Sequence, residues 1–251
     1  MIEIKLGQQS NLSGAVVLGY FDCVHIGHCA LIKEGKREND AYCFTFNTDI
    51  SAQLPKKSPN VYSYKERLVR FEEEGAKGVI YTPFNSQIME MEAQDFLDEI
   101  CKTINVQKAV CGKDFRFGKK GSGDVLFLEE YFSKKGVPTV IVQDVKTAGV
   151  KVSTGLVFER LQSGEIEKAN LLLGQNYRKF TKVKKVNEVE GNTEFLSISG
   201  DFRLKEGNYK GILQGEEVDI LLRGNIAFVN KIIENQSDIF TLTFTKKGTK
   251  L

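Results

Sequence analysis

Histidine is scarce in this chain. Of 251 residues only His25 and His28 carry an imidazole, and they stand three apart in Leu18-Gly-Tyr-Phe-Asp-Cys-Val-His-Ile-Gly-His28, directly after an apolar run. At a helix start that spacing puts both rings on one face. Gly19 ends the run, and Gly27 leaves room for close approach. A helix N-terminus offers unpaired N–H groups and a partial positive charge, which favours phosphate. Two imidazoles there can donate hydrogen bonds to phosphate oxygens and share the negative charge that builds on a leaving group. Two other readings stay open. The histidines are surface or cap residues, or Cys23, His25, His28 and Cys29, all within seven residues, hold zinc. Against zinc, structural sites usually space their ligand pairs across a longer loop.

The surrounding pattern must position these residues. Ala15–Tyr20, Ala41–Phe46, Gly78–Tyr81, Val106–Cys111 and Pro138–Val142 are short, rich in Val, Ile and Phe, and bounded by breaks, so they read as buried strands. Between them Ala30–Arg37, Tyr64–Glu74, Ala93–Ile104 and Val125–Lys134 read as helices. In Tyr64–Glu74, Leu68 and Phe71 fall on one face and Glu66, Arg70 and Glu73 on the others. Strands alternating with helices predict an α/β fold, a parallel sheet covered on both faces. In such a sheet, ligands sit beyond the carboxyl ends of strands. After a helical stretch, Gly155–Leu173, the pattern changes. Phe195–Ser199, Asn208–Leu213, Val218–Leu222, Ile226–Ile233 and Ile239–Phe244 predict a small antiparallel β domain, an open barrel. Arg178–Lys185 holds five basic residues in eight and reads as a linker.

Composition narrows the class. Hydrophobic residues make up 41% and charged residues 27%, ordinary for a globular protein that needs no disulfides for its core. The formal charge of +2 points to neither nucleic acid nor an anionic membrane as partner. No apolar run approaches the ~20 residues of a spanning helix, and the first residues do not read as a secretory signal. The five cysteines are scattered and odd in number, which fits free thiols in a cytoplasmic location.

Gly19-Tyr-Phe-Asp-Cys-Val-His-Ile-Gly-His28 resembles the G-x-F-D-G-x-H-x-G-H signature of bacterial FAD synthetases, the FMN adenylyltransferase part of bifunctional riboflavin kinase/FAD synthetases. Val110-Cys-Gly-Lys-Asp-Phe-Arg-Phe-Gly118 resembles the family's V-G-x-D/N-F-x-F-G. Val152-Ser-Thr resembles its S-S-T block, and Leu161–Tyr177 resembles the helical ending of the domain. The resemblance implies a Rossmann-like nucleotidyltransferase domain at residues 1–177, a small β domain at residues 186–251, and ATP, FMN and Mg²⁺ as substrates and cofactor. It implies that His25 and His28 stabilise phosphate and leaving group. It also implies that Gly19, Tyr20, Phe21, Asp22 and Gly27 shape the ATP pocket. Gly112, Asp114, Phe115, Phe117 and Gly118 would line the substrate site. Ser153 and Thr154 would bond phosphate oxygens, with Thr154 beside the Mg²⁺. Phe115 and Phe117 alternate and equally suit core packing. Ser153 and Thr154 precede a helix and equally suit its cap. Gly118-Lys-Lys-Gly-Ser-Gly123 suits a phosphate-reaching loop or a solvated turn.

The sequence departs from the pattern in places that matter. Cys23 stands where the pattern has Gly, and a Cβ is costly if the backbone there has positive φ. The S-S-T-x-x-R block ends in Arg, whereas Val157 and Phe158, which follow Ser153-Thr154 at that distance, are both apolar. Arg160 lies two residues beyond Phe158, on roughly the opposite side of a helix from it, which leaves Lys119, Lys120 or Lys151 to supply charge. The G-F-P-T-A-N signature of riboflavin kinases is absent after residue 177, since the last of four prolines is Pro138. No riboflavin kinase activity is therefore expected. A nucleotide- or flavin-binding protein with weak or lost catalysis is one alternative. A nucleotidyltransferase for another phosphorylated acceptor is the other.

Overall fold

The computed structural model describes residues 1–50, 60–184, 195–198, 203–229 and 239–248. The chain forms two compact units, Met1–Lys151 and Val152–Leu251.

The first unit is built on a six-stranded sheet. Its strands are β1 (Ile2–Lys5), β2 (Ser13–Leu18), β3 (Ala41–Phe46), β4 (Gly78–Thr82), β5 (Asn105–Gly112) and β6 (Thr139–Val142). All pairings are parallel, in the order β1-β4-β3-β2-β5-β6. The expected α/β parallel sheet is present. β1 was not foreseen, because Ile2–Lys5 alternates apolar and charged residues at an edge, and only Ile4 is buried.

The helices are α1 (Ile26–Gly35), α2 (Tyr64–Glu73), α3 (Ser86–Met89), α4 (Ala93–Thr103) and α5 (Val125–Ser133). Because successive side chains of a strand face opposite sides, the sheet has two cores. Val16, Leu18, Tyr42, Phe44, Ala109 and Cys111 pack against Phe96, Leu97 and Ile100 of α4 and Leu128 and Phe132 of α5. Val17, Ala41, Cys43, Val79 and Val110 pack against Leu31 and Ile32 of α1 and Phe71 of α2. α2 starts where Ser63 Oγ accepts from Glu66 N and Glu66 Oε2 accepts from Ser63 N, a complete capping box. The faces read for this helix need correction. Glu66, Arg67 and Arg70 are buried beside Phe71, because their polar ends find partners that periodicity does not register.

The strand order places the topological switch point at β2. From β2 the chain moves to β3 and β4 on one side, then to β5 and β6 on the other. The loops leaving β2 and β5 therefore rise from the carboxyl ends of adjacent strands, where a doubly wound sheet opens a crevice. A two-residue turn joins β7 (Lys146–Thr147) to β8 (Val150–Lys151). Ala148 at φ 50 and Gly149 at φ 79 give that turn two left-handed central residues.

The second unit corrects three expectations. The helical stretch is two helices, α6 (Thr154–Ser163) and α7 (Ile166–Leu173). They separate where Gly164 takes φ 73 at the C-cap, a conformation a Cβ disfavours. The expected linker is strand β9 (Tyr177–Lys184). Tyr177, Lys179 and Thr181 are buried in alternation, and the run of basic residues concealed that period-two pattern. With β10 (Phe195–Ile198), β11 (Gly207–Leu213), β12 (Glu216–Arg223), β13 (Ile226–Val229) and β14 (Phe240–Lys247), it closes a barrel in the order β10-β13-β12-β11-β14-β9. The barrel is closed rather than open because β9 pairs with both β14 and β10. Asn170 of α7 ties helix to barrel: its amide nitrogen donates to Phe244 O (3.0 Å) and Thr245 O (3.1 Å), and its oxygen accepts from Tyr177 N (2.7 Å). Residues 230–233 and 199, read from the sequence as strand, lie outside the described residues.

Candidate active site

The loop between β2 and α1 is wound tightly. Phe21 (φ 57) and Val24 (φ 43) both take left-handed backbone, although neither is glycine. Such conformations persist where surrounding packing over-determines them, and they concentrate at functional sites. The strain expected at Cys23 therefore lies on its neighbours: Cys23 is not among the positive-φ residues and is fully buried. Phe21 packs edge-on to Phe71 with centroids 5.3 Å apart. Its ring also closes over Gly19, where an added Cβ would lie 3.0 Å from it.

His25 is the N-cap of α1. Its Nδ1 accepts from His28 N at 3.2 Å, so a neutral His25 carries its proton on Nε2 and presents a donor outward. Its ring lies 3.0 Å from where a Gly27 Cβ would stand. The room Gly27 leaves is thus taken by His25 itself. The two imidazoles stack with centroids 3.8 Å apart and planes 7° apart. The cap role and the shared face expected from the spacing are both present. The Nδ1 of His28 is buried without a hydrogen-bond partner.

Burial first, with the Lys151 charge adding and Asp114 opposing, pushes His25 down to about 4. Burial, then the His25 and Arg67 charges, holds His28 well below its ordinary value. Both are therefore neutral donors at pH 7 in the absence of a bound anion.

Asp22 is buried and accepts from Val61 N at 2.9 Å. Burial raises it to about 6, against the lowering effect of Arg67 and the Val61 and Tyr62 backbone N–H groups. Tyr20 donates to Asn60 Oδ1, and burial, then the Asp22 charge, raises its hydroxyl to about 12. Beneath the loop lies Arg67, a residue that sequence reasoning missed. It is fully buried and donates to Thr45 Oγ1 (2.5 Å), Phe46 O (2.7 Å) and Tyr20 O (3.3 Å). It bolts the ends of β2 and β3 together just where the loop begins. An arginine three residues from a helix start carries no signal of this in sequence.

The second loop follows β5. Gly112 precedes Asp114, whose Oδ2 accepts from Lys151 Nζ at 2.6 Å, and Lys151 also pairs with Asp144 at 3.0 Å. Asp144 in turn pairs with Lys113 at 2.6 Å. β2 and β5 are adjacent, so the two loops rise side by side, and the Lys151 and Asp114 charges both act on His25. The β7–β8 turn that aims Lys151 was not legible in the sequence. Phe117 belongs to the core, 5.6 Å from Phe96, and Phe115 stacks on it at 5.4 Å and 17°. Gly118 takes φ 73 with Ala93 Cα 2.7 Å from an added Cβ, so a side chain there would strain and clash. Phe117 and Gly123 exchange backbone hydrogen bonds (3.1 and 2.9 Å), which makes the intervening segment a pinned turn. Within it Lys119 is paired with Glu90 at 2.7 Å.

Ser153 and Thr154 belong to the second unit. Ser153 caps α6, accepting from Leu156 N at 3.3 Å. Phe158 lies half-buried on that helix, and Arg160 is held by Glu165 at 2.7 Å. Of the four residues read as zinc ligands, Cys23, His25 and His28 place their ligand atoms within 4.8 Å of one another. Cys29 lies apart from them, bonded to Val24 O and Arg70. Among the described residues no helix is long and apolar enough to cross a membrane.

The perturbed groups make stability sensitive to acid. Unfolded, a histidine protonates near 6.5 and an aspartate near 3.8. As pH falls from about 6.5 to about 4, the unfolded chain gains protons on His25 that the folded chain does not, which destabilises the fold. Asp22 works oppositely, because the folded chain protonates it near 6. His28 sides with His25, so the histidines prevail. Acidification across this window is expected to lower Tm. Asp22→Asn, which removes the opposing contribution, should steepen the fall in Tm with pH. A Tm that rises toward pH 4.5 would contradict this balance.

A parallel sheet with a strained loop and a paired-histidine helix start at its switch point is a Rossmann-like α/β fold with a helix N-terminus placed to receive an anion. The sequence profile of FAD synthetase matches residues 7–156, and the chain belongs to that family. A bifunctional riboflavin kinase/FMN adenylyltransferase of Bacillus subtilis (strain 168) is 29% identical over 178 residues, 68% of this chain and 56% of the relative. That of Escherichia coli (strain K12) is 26% identical over 216 residues, 83% of this chain and 69% of the relative. The chain spans 56% and 58% of the lengths of the Bacillus subtilis and Listeria monocytogenes relatives. A crystal structure described as a macrolide-efflux protein from Streptococcus pneumoniae shares the fold, with a TM-score of 0.81, 21% identity, and coverage of 100% of this chain and 93% of that one.

Proposed function

We propose that the chain transfers the adenylyl group of ATP to FMN, giving FAD and pyrophosphate, without riboflavin kinase activity, in the cytoplasm. The observation that carries this reading is the stacked, neutral His25–His28 pair capping α1 at the switch point of the sheet. Family membership and the names of the relatives support the choice of substrates.

An oxygen of the FMN phosphate attacks the α-phosphorus of ATP, and the bond from that phosphorus to the β-phosphate oxygen breaks. The reaction is mainly positioning and charge neutralisation. The α1 N-terminus and the His25 Nε2–H donate to phosphate oxygens, and His28 supplies the second imidazole. Asp22, Tyr20 and Gly19 keep the loop wound, while Asp114 and Phe115 face the acceptor. Ser153 and Thr154 bond phosphate oxygens. Mg²⁺ takes oxygen ligands, so the buried sulfur and nitrogen set at Cys23, His25 and His28 does not suit it, whereas the Thr154 hydroxyl does. A bound Mg²⁺ would be held by the Thr154 hydroxyl and would offset phosphate charge.

One observation favours slow turnover as a second reading. Val157 and Phe158 are apolar where the family pattern has its cation, and the nearest arginine in sequence, Arg160, is committed to Glu165. Phe158→Arg is expected to raise the rate of FAD formation about tenfold or more. An unchanged rate would remove the missing cation as the explanation. The function itself is tested by incubating the chain with ATP, Mg²⁺ and either FMN or riboflavin, then separating the flavins. FAD from FMN and nothing from riboflavin is expected. Nucleotide bound without product would leave a binding protein, and pyrophosphate released only with another phosphate ester would change the acceptor.

A further inference from the structure

We propose that Cys23, His25 and His28 form a binding site for a soft divalent metal of the zinc class, and that its occupation excludes nucleotide phosphate. The three ligand atoms already lie within 4.8 Å of one another. Tetrahedral zinc, with bonds of about 2.0–2.1 Å to nitrogen and 2.3 Å to sulfur, needs ligand separations of roughly 3.3–3.8 Å, so closure takes a shift of about an ångström and the rotation of at least one imidazole out of the stack, because a metal lies near the plane of each ring it binds. Cys23 is fully buried and in no disulfide. The Nδ1 of His25 serves the helix cap, which leaves Nε2 for a metal. The Nδ1 of His28 is a buried nitrogen without a hydrogen-bond partner, as a ligand position would leave it.

The donor set selects the metal. One thiolate and two imidazoles suit zinc or cobalt(II) and do not suit Mg²⁺ or Ca²⁺. On binding, the metal–sulfur bond replaces the S–H bond of Cys23, and the proton passes to solvent. Three protein ligands leave a fourth position for water. The exclusion of phosphate rests on the reading of Gly19–His28 as the nucleotide site. The same imidazoles cannot serve a metal and donate to phosphate together, so the chain would be switched off by zinc.

Cobalt(II) serves as the spectroscopic probe. Titration of the reduced chain should give a thiolate-to-cobalt charge-transfer band that saturates at one equivalent, is displaced by Zn(II), and is lost in Cys23→Ser. No band at one equivalent, or a band that survives in Cys23→Ser, overturns the site. If that variant does not fold, X-ray absorption of the zinc-loaded unaltered chain decides. One sulfur at about 2.3 Å with two imidazole nitrogens at about 2.0 Å is expected, and any other sulfur count overturns it. Zinc-loaded chain, desalted of excess metal, should bind Mg·ATP at least tenfold more weakly than metal-free chain. Equal binding overturns the exclusion. If metal-free chain binds no Mg·ATP, the nucleotide reading fails and the exclusion falls with it, while the cobalt spectrum still decides the metal site.

Discussion

His28→Ala is expected to lower the rate of FAD formation by a factor on the order of 10²–10³ while leaving the fold nearly intact. Removing one preorganised donor from a site of charge development typically has an effect of that size. The geometry separates catalysis from stability here. The cap of α1 runs from the His28 backbone N–H to His25 Nδ1, and alanine keeps that N–H. What is lost is the imidazole stacked 3.8 Å from His25 and 5.0 Å from Phe21. His25→Ala should behave differently, adding the loss of a cap, about 1 kcal/mol, to the loss of a donor. Steady-state rates with ATP and FMN, together with thermal melts of both variants, make the comparison. An active His28→Ala enzyme would remove the assigned role.

Arg67→Met should be the most destabilising single change at the site, costing about 4 kcal/mol and lowering Tm on the order of 10 °C. Methionine fills much of the volume but donates nothing. Phe46 O loses its bond from the guanidinium, and Tyr20 O keeps only the bond from Thr45 Oγ1 (2.7 Å). Arg67 also holds Asp22 down against the effect of burial, so its loss leaves that carboxyl easier to protonate. With the ends of β2 and β3 unbolted, the loop carrying the histidines loses its base. Arg67→Lys should recover only part of the stability, because one ammonium cannot span the acceptors that the planar fork reaches. Thermal or urea unfolding followed by circular dichroism checks both. A cost under about 1 kcal/mol for Arg67→Met would show that the buried bonds do not support the loop.

The order of strands and helices was legible because burial imposes periods on the residues themselves. Ala41–Phe46, rich in apolar and aromatic residues, is a buried strand as read, and Tyr64–Glu73 keeps its start at the capping box. The pairing of His25 with His28 was legible too, because i, i+3 spacing is local geometry. Where a local signal was ambiguous the reading failed. The basic run of Tyr177–Lys184 concealed a strand, and the left-handed turn at Gly164 was hidden within a continuous helical pattern.

Tertiary structure alone decided the rest. Sequence placed Gly19 and Asp114 on separate loops, and only the order β3-β2-β5 makes those loops neighbours over a switch point. Sequence supplied an arginine in α2, and only folding made it the buried bolt beneath Tyr20, because its three acceptors come from Tyr20, Thr45 and Phe46, far from it in the chain. The strain expected at Cys23 fell instead on Phe21 and Val24, since the packing of Phe21 against Phe71 fixes the path of the loop. Residue types and local spacing determine what chemistry a segment can offer. Which groups meet, and with what charge, follows from long-range packing and burial, which no window of sequence contains.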